Sequence, residues 1–142
     1  MNFLLISASF YKDIADELVC GASEALEPLG HKVERMDVPG VLEIPIALSM
    51  VHQSNRGAYY SGYVALGCVI RGETSHYDIV AVESARELMH YTTKHRVPFG
   101  NGILTVENEA QARARALRQE KNKGRDAALA ALALAGILGQ FS

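Results

Sequence analysis

Apolar and polar residues along the chain follow two periods, and the two take turns. Phe3–Ala8 (FLLISA) is a short apolar run of strand length. Ile14, Leu18, Val19, Ala22, Leu26 and Leu29 then recur every three or four positions, the stripe of a helix packed on one side, and Pro28 and Gly30 close it. His31–Val38 sets Val33, Arg35 and Asp37 against Lys32, Glu34 and Met36, a weaker strand signal that suits a sheet edge. Pro39-Gly40 breaks it. Pro45 stands near the start of the next helix, where its missing N–H costs little, and that helix is expected to run to about Ser54.

Gly62–Ile70 (GYVALGCVI) is apolar on both faces, as a central parallel strand should be. RGETSHYD follows, and Ser75 with Asp78 reads as a capping box for a helix from about His76 to His95. Val97–Val106 is a last strand, interrupted by Gly100 and Gly102. Asn108 and Gln111 suit a helix start, Gly124 marks a break or kink, and an Ala/Leu-rich helix runs to about Gly139.

Strand and helix thus alternate four times, with one helix more at the end. This predicts a single α/β domain, residues 1–142: a four-stranded parallel sheet with helices on both faces, a flavodoxin-like three-layer sandwich. Such sheets bind ligands at the carboxyl ends of their strands. The segments SFYKD, VPGVLEIP, RGETSHYD and GNGILTVEN are therefore expected to meet on one rim.

Composition narrows the field. A net charge of -2 makes neither nucleic acid nor an anionic membrane surface an expected partner. Ala127–Leu138, the longest apolar tract, is too short to span a bilayer. MNFLLISASF has no basic n-region and no proper cleavage site, so a secretory leader is not expected. Cys20 and Cys68 form no CxxC pair and are expected to be reduced, buried thiols. All of this suits a cytoplasmic protein. His, Cys, Asp and Glu show no metal-ligand spacing, and neither GxGxxG nor GxxxxGK[ST] is present.

The rim residues leave alternatives open. Gly72, Glu73, Thr74 and Ser75 stand at a helix start, where free N–H groups and hydroxyls form an anion site, or Ser75 simply caps its own helix. His76 is either a surface residue or, at a positive helix end, a neutral imidazole able to take a proton. Glu43 either binds a polyol or complements a helix dipole. Phe10 either stacks on a flat ring or plugs the core. Asn101 turns its amide to a ligand or forms a turn. Arg115 by itself would be a solvated helix charge, far from the rim.

Taken in order, ASFY, VPGVLEIPIAL, ALGCVIRGETSHYDIV, GNGILTVENEAQARARA and NKGRDAALAALALA resemble the blocks of the lumazine synthases of riboflavin biosynthesis, over nearly the whole chain. The resemblance implies a reaction. 5-Amino-6-(ribitylamino)uracil condenses with 3,4-dihydroxy-2-butanone 4-phosphate, giving 6,7-dimethyl-8-ribityllumazine, phosphate and water. The substrate's amine is the nucleophile, and no metal or redox cofactor is used. It also implies roles. His76 matches the proton-transfer histidine; Gly72, Glu73 and Thr74 match the phosphate loop; Arg115 matches an arginine reaching the phosphate from a neighbouring subunit. Phe10 matches the aromatic stacked on the pyrimidine. Val41, Leu42, Glu43, Val69 and Ile70 match positions around the ring and ribityl chain, and Asn101 and Ile103 lie in the block given by the adjacent subunit.

Two departures stand out. The family often has Arg-Phe-Asn where this chain has Ser9-Phe10-Tyr11, and many members carry an aromatic at the place of Asn101. A non-catalytic lumazine or flavin carrier, or a scaffold whose assembly is its function, is the alternative; keeping both His76 and Arg115 favours the enzyme. The resemblance further implies a homo-oligomer with shared sites. A pentamer is expected first and a face-to-face decamer second. Shell-forming members carry a glycine-bearing segment where this chain has Leu117–Lys121, so a straighter or longer helix is expected there, with no sixty-subunit shell. The short N-terminal segment ahead of the first strand points the same way.

Overall fold

In the computed structural model, which describes Met1–Ser142, the alternation closes into one sheet. The strands are β1 (Asn2–Ala8), β2 (Lys32–Val38), β3 (Gly62–Ile70) and β4 (Phe99–Val106). The helices are α1 (Lys12–Leu26), α2 (Glu43–His52), α3 (His76–His95), α4 (Glu109–Ala116) and α5 (Lys123–Gln140). All neighbouring strands are parallel, in the order β2-β1-β3-β4. That is the flavodoxin-like order, with its reversal point between β1 and β3. β2 is an edge strand, as its weak pattern suggests; so is β4. No helix is long and apolar enough to cross a membrane.

Strand parity builds two cores. Phe3, Leu5, Val64, Leu66, Leu104 and Val106 face α1, α4 and α5. Leu4, Ile6, Tyr63, Ala65 and Phe99 face α2 and α3, where Ile44, Leu48, Val80 and Leu88 meet them. Both faces of β3 are buried along its length, which is why its sequence is apolar throughout.

Glycine does more packing than breaking here. Gly100 and Gly102 lie inside β4, and the strand runs through both. A side chain on Gly100 would collide with the Ala127 carbonyl, and one on Gly102 with Leu66 and Ala127. The pair lets α5 press onto the sheet. Gly124 likewise marks no break: it lies in the first turn of α5, and a Cβ there would strike the Leu18 carbonyl of α1.

The expected lengthening at Leu117–Lys121 does not occur. α4 stops at Ala116, Leu117 is extended at φ -61°, ψ 133°, and the next residues turn. Tertiary contacts override helix propensity here. The Arg118 guanidinium donates to Glu17 at 3.0 Å and to Glu24 at 2.6 Å, pinning the turn to α1. Asn122, left-handed at φ 46°, starts α5 in a new direction. Two smaller expectations also fail. Leu29 leaves the helical stripe in a short 3-10 turn, Glu27–Leu29, and is exposed. Cys20 is exposed, while Cys68 is buried. A second 3-10 turn, Gly57–Tyr59, has no signal in the pattern.

Candidate active site

The ends of β1, β2 and β3 open onto one cleft of about 370 Å³ at the β1/β3 reversal point. Phe10 and Tyr11 come from the β1 exit, Gly40–Glu43 from the β2 exit, and Cys68–Ile70, Gly72, Thr74, His76, Tyr77 and Val80 from β3 and α3. Of the residues singled out in the sequence, Phe10, Val41, Leu42, Glu43, Val69, Ile70, Gly72, Thr74 and His76 are brought together here. Glu73 is on the same loop, exposed, but its side chain is not part of the lining.

Each wall has a local cause. Phe10 is 75% exposed, so it plugs no core; its ring meets Tyr11 edge-on at 4.9 Å and stands free at the mouth. Val41 and Val69 are buried and form an apolar floor. A Cβ on Gly40 would lie 3.0 Å from the Glu43 carboxylate, so the glycine leaves room for that group. Ser9 sends its hydroxyl to the Val38 carbonyl at 3.2 Å, so this side chain is committed to the backbone rather than to the cleft.

The β3–α3 loop is exposed from Arg71 to His76. Ser75 does not cap α3 with its side chain. The Thr74 hydroxyl does the nearest equivalent, accepting the His76 backbone N–H at 3.3 Å. Gly72 has a negative φ, and a Cβ there would meet nothing within 4 Å. The chain's own packing therefore does not demand glycine at this position; open space above the backbone is what glycine preserves. Burial pushes the Cys68 thiol up to about 11, so it lines the cleft as a protonated, apolar group.

No lysine or arginine lines this cleft. The nearest cation in sequence, Arg71, is held outside it by Glu107 at 2.7 Å and Asp78 at 3.4 Å. The expectation that GNGILTVEN joins the same rim is not met, because most of that segment is β4 itself. Asn101, Ile103 and Arg115 instead line a second cleft along the free edge of β4, with Lys123 and Asp126. There the Asn101 side-chain oxygen accepts the Ile103 N–H at 2.9 Å, the turn-forming use of its amide. Arg115 is half-buried, donates to the Gln111 carbonyl at 3.1 Å, and has no carboxylate partner.

Sequence reasoning missed Tyr11, Gly40, Cys68, Tyr77 and Val80 among the lining residues. Val80 was within reach, since it lies one helical turn from His76 and so shares its face. No three His, Cys, Asp or Glu side chains group as metal ligands would.

Residues 1–138 match the family model described as 6,7-dimethyl-8-ribityllumazine synthase. Three relatives carry that name. The protein of Novosphingobium aromaticivorans is 54% identical over 141 residues, covering 99% of each chain. That of Methylorubrum populi is 54% identical over 136 residues, 94% of this chain and 80% of its own. That of Bartonella bacilliformis is 49% identical over 140 residues, 99% of this chain and 91% of its own.

Proposed function

Because the chain belongs to the 6,7-dimethyl-8-ribityllumazine synthase family, we propose that the cleft at the β1/β3 reversal point is where it carries out that family's reaction. The reaction condenses 5-amino-6-(ribitylamino)uracil with 3,4-dihydroxy-2-butanone 4-phosphate. It yields 6,7-dimethyl-8-ribityllumazine, phosphate and water, the penultimate step of riboflavin biosynthesis. The chain is a transferase of that pathway.

The roles follow from the walls. The pyrimidine stacks on the free face of Phe10, while Val69 and Ile70 bound it below. The ribityl chain runs past Val41 and Leu42, and Glu43 accepts its hydroxyls. The phosphate sits over Gly72 and Thr74, where the Thr74 O–H and the loop N–H groups donate to its oxygens. Glu73 contributes its backbone only. The substrate's amine attacks the ketone, and His76 moves protons as the imine forms and phosphate departs. Ring closure follows. This chemistry asks no metal of the protein.

The single observation that carries this reading is the β3–α3 loop, which brings Gly72, Thr74 and His76 onto one cleft with an unburied aromatic ring opposite. A phosphate-bearing substrate also needs a cation, and none of this chain's own lies in the cleft. That supports a site completed by Arg115, with Asn101 and Ile103, from a neighbouring copy. The assembly proposed is a ring of five, with two rings face to face as the second state, working in the cytoplasm as one lumazine synthase domain, residues 1–142. The turn at Leu117–Asn122 withdraws the straight-helix reason for excluding a shell. Phosphate release on mixing the two substrates with the purified protein tests the activity. No phosphate and no lumazine absorbance at saturating substrate would sink it.

A further inference from the structure

Arg71 is the one residue of the β3–α3 junction that faces away from the cleft yet touches what shapes it. Its guanidinium carbon lies 4.2 Å from the centre of the Tyr77 ring. Its Nε donates to Glu107 at 2.7 Å and its Nη1 to Asp78 at 3.4 Å. Its backbone N–H donates to the Val106 carbonyl at 2.9 Å. Tyr77 lines the cleft and Arg71 does not.

We propose that Arg71 is a positioning residue: its planar face holds the Tyr77 ring as a wall of the cleft, while its two carboxylate contacts tie the first turn of α3 to the β4 exit and so fix the loop bearing Thr74 and His76. This rests on the preceding reading of the cleft as the reaction site.

The chemistry of the side chain makes the argument. Glu107 follows β4, Asp78 is in the first turn of α3, and Arg71 itself leaves β3, so one group joins three segments. An exposed ion pair alone contributes little. Here one guanidinium uses its fork on two carboxylates and its plane on an aromatic face, a combination lysine cannot reproduce. The same carboxylates keep a mobile cation from folding over the phosphate loop. Without the clamp, Tyr77 and the exposed loop would lose their only tie to β4's end through this side chain.

The test is a double-mutant cycle on kcat/KM for both substrates, with circular dichroism and particle mass confirming the fold of each variant. Arg71→Ala should lower kcat/KM about 5- to 20-fold, the scale of a displaced binding wall. Tyr77→Ala should also lower it. The double variant should lose less than the product of the two single losses, because part of what Arg71 does passes through Tyr77. Arg71→Lys should recover only part of the loss, since charge without the plane keeps a carboxylate contact but does not restore the ring contact. If Arg71→Ala does not fold, Glu107→Gln replaces it: this leaves Arg71 in place and should lose about 2- to 5-fold in the same direction. Additive losses, full rescue by lysine, or a wild-type rate for Arg71→Ala would overturn the proposal. Wild-type rates for both His76→Ala and Tyr77→Ala would show instead that the cleft is not the reaction site, and the proposal would fall with that reading.

Discussion

The Thr74 hydroxyl accepts the backbone N–H of His76 at 3.3 Å. The proposed phosphate ligand and the proposed proton carrier are thus joined at the start of one helix. One acceptor lone pair of Thr74 is used internally, and its O–H proton remains for a ligand oxygen. The side chain of Ser75, the residue that the capping pattern favours, takes no part.

Thr74→Val keeps the shape and removes both the O–H donor and the acceptor of the His76 N–H. It should raise KM for the phosphate substrate roughly tenfold, as loss of a hydrogen bond to a charged group does. Thr74→Ser should restore most of the affinity. Steady-state kinetics with the pyrimidine saturating reads this; equal KM values for Val and Thr would remove Thr74 from the phosphate site.

His76→Ala should slow turnover without abolishing it. General acid–base help is worth roughly 10²–10⁴ at most. The nucleophile here belongs to the substrate and phosphate leaves readily, so a loss of about 10²-fold or less is expected. A chelator should change neither enzyme nor variant. An inert His76→Ala protein, folded and able to bind substrate, would mean that the imidazole carries more than proton transfer.

Arg115→Ala should weaken the phosphate substrate more than the pyrimidine, because it removes a charge-assisted contact. A shared site adds a sharper expectation. Mixing unfolded His76→Ala and Arg115→Ala chains and refolding them together should give rings in which about a quarter of the sites combine two intact halves. Activity should then exceed that of either variant alone. No gain on mixing, or a particle with the mass of one chain, would place Arg115 outside any neighbour's site.

The fold was legible because parallel α/β sheets write themselves plainly: the bounds of β3 and α3 follow from the apolar run and the start signal after it. The cleft was legible where unusual residues stand at strand ends, at Phe10, Val41–Glu43, Gly72, Thr74 and His76. What escaped depends on distant contacts. Leu117–Lys121 has strong helix formers, but Glu17 and Glu24, about a hundred positions earlier, hold Arg118 in a turn. Gly100, Gly102 and Gly124 look like breaks in one dimension; only the approach of α5 shows why they lack side chains. Tyr77 lies against Arg71, which Glu107 holds in turn, a contact that no local period announces.

Three glycines therefore predict three outcomes. Gly100→Ala forces the Ala127 carbonyl to move and should cost about 1–3 kcal/mol, as overpacking does. Gly136→Ala meets nothing on an exposed helix surface and should stabilise by about 0.5–1 kcal/mol. Gly72→Ala should leave stability unchanged but raise KM for the phosphate substrate, because only a ligand needs that space. Urea unfolding with parallel kinetics separates the three. A stable Gly100→Ala protein would contradict the close seat of α5 on β4.

A pH effect on stability should arise at the α2–α3 contact. His52 Nδ1 lies 2.8 Å from the Tyr91 hydroxyl, and its ring centre is 6.0 Å from those of His95 and Tyr63. Partial burial, and then the charge of His95, hold the His52 pKa below its ordinary 6.5. The folded state thus resists protonation that the unfolded chain accepts freely. Below about pH 6.5 the unfolded state binds more protons, so stability rises with pH across that window and is lost as pH falls through it. Wild-type unfolding free energy should therefore decline on going from pH 7 towards pH 5. His52→Asn keeps an amide near the Tyr91 hydroxyl but cannot titrate, so its curve should be flatter over the same range. Denaturant titrations at closely spaced pH values make the comparison. Parallel curves for the two proteins through pH 6.5 would show that the histidine pair contributes nothing to acid sensitivity.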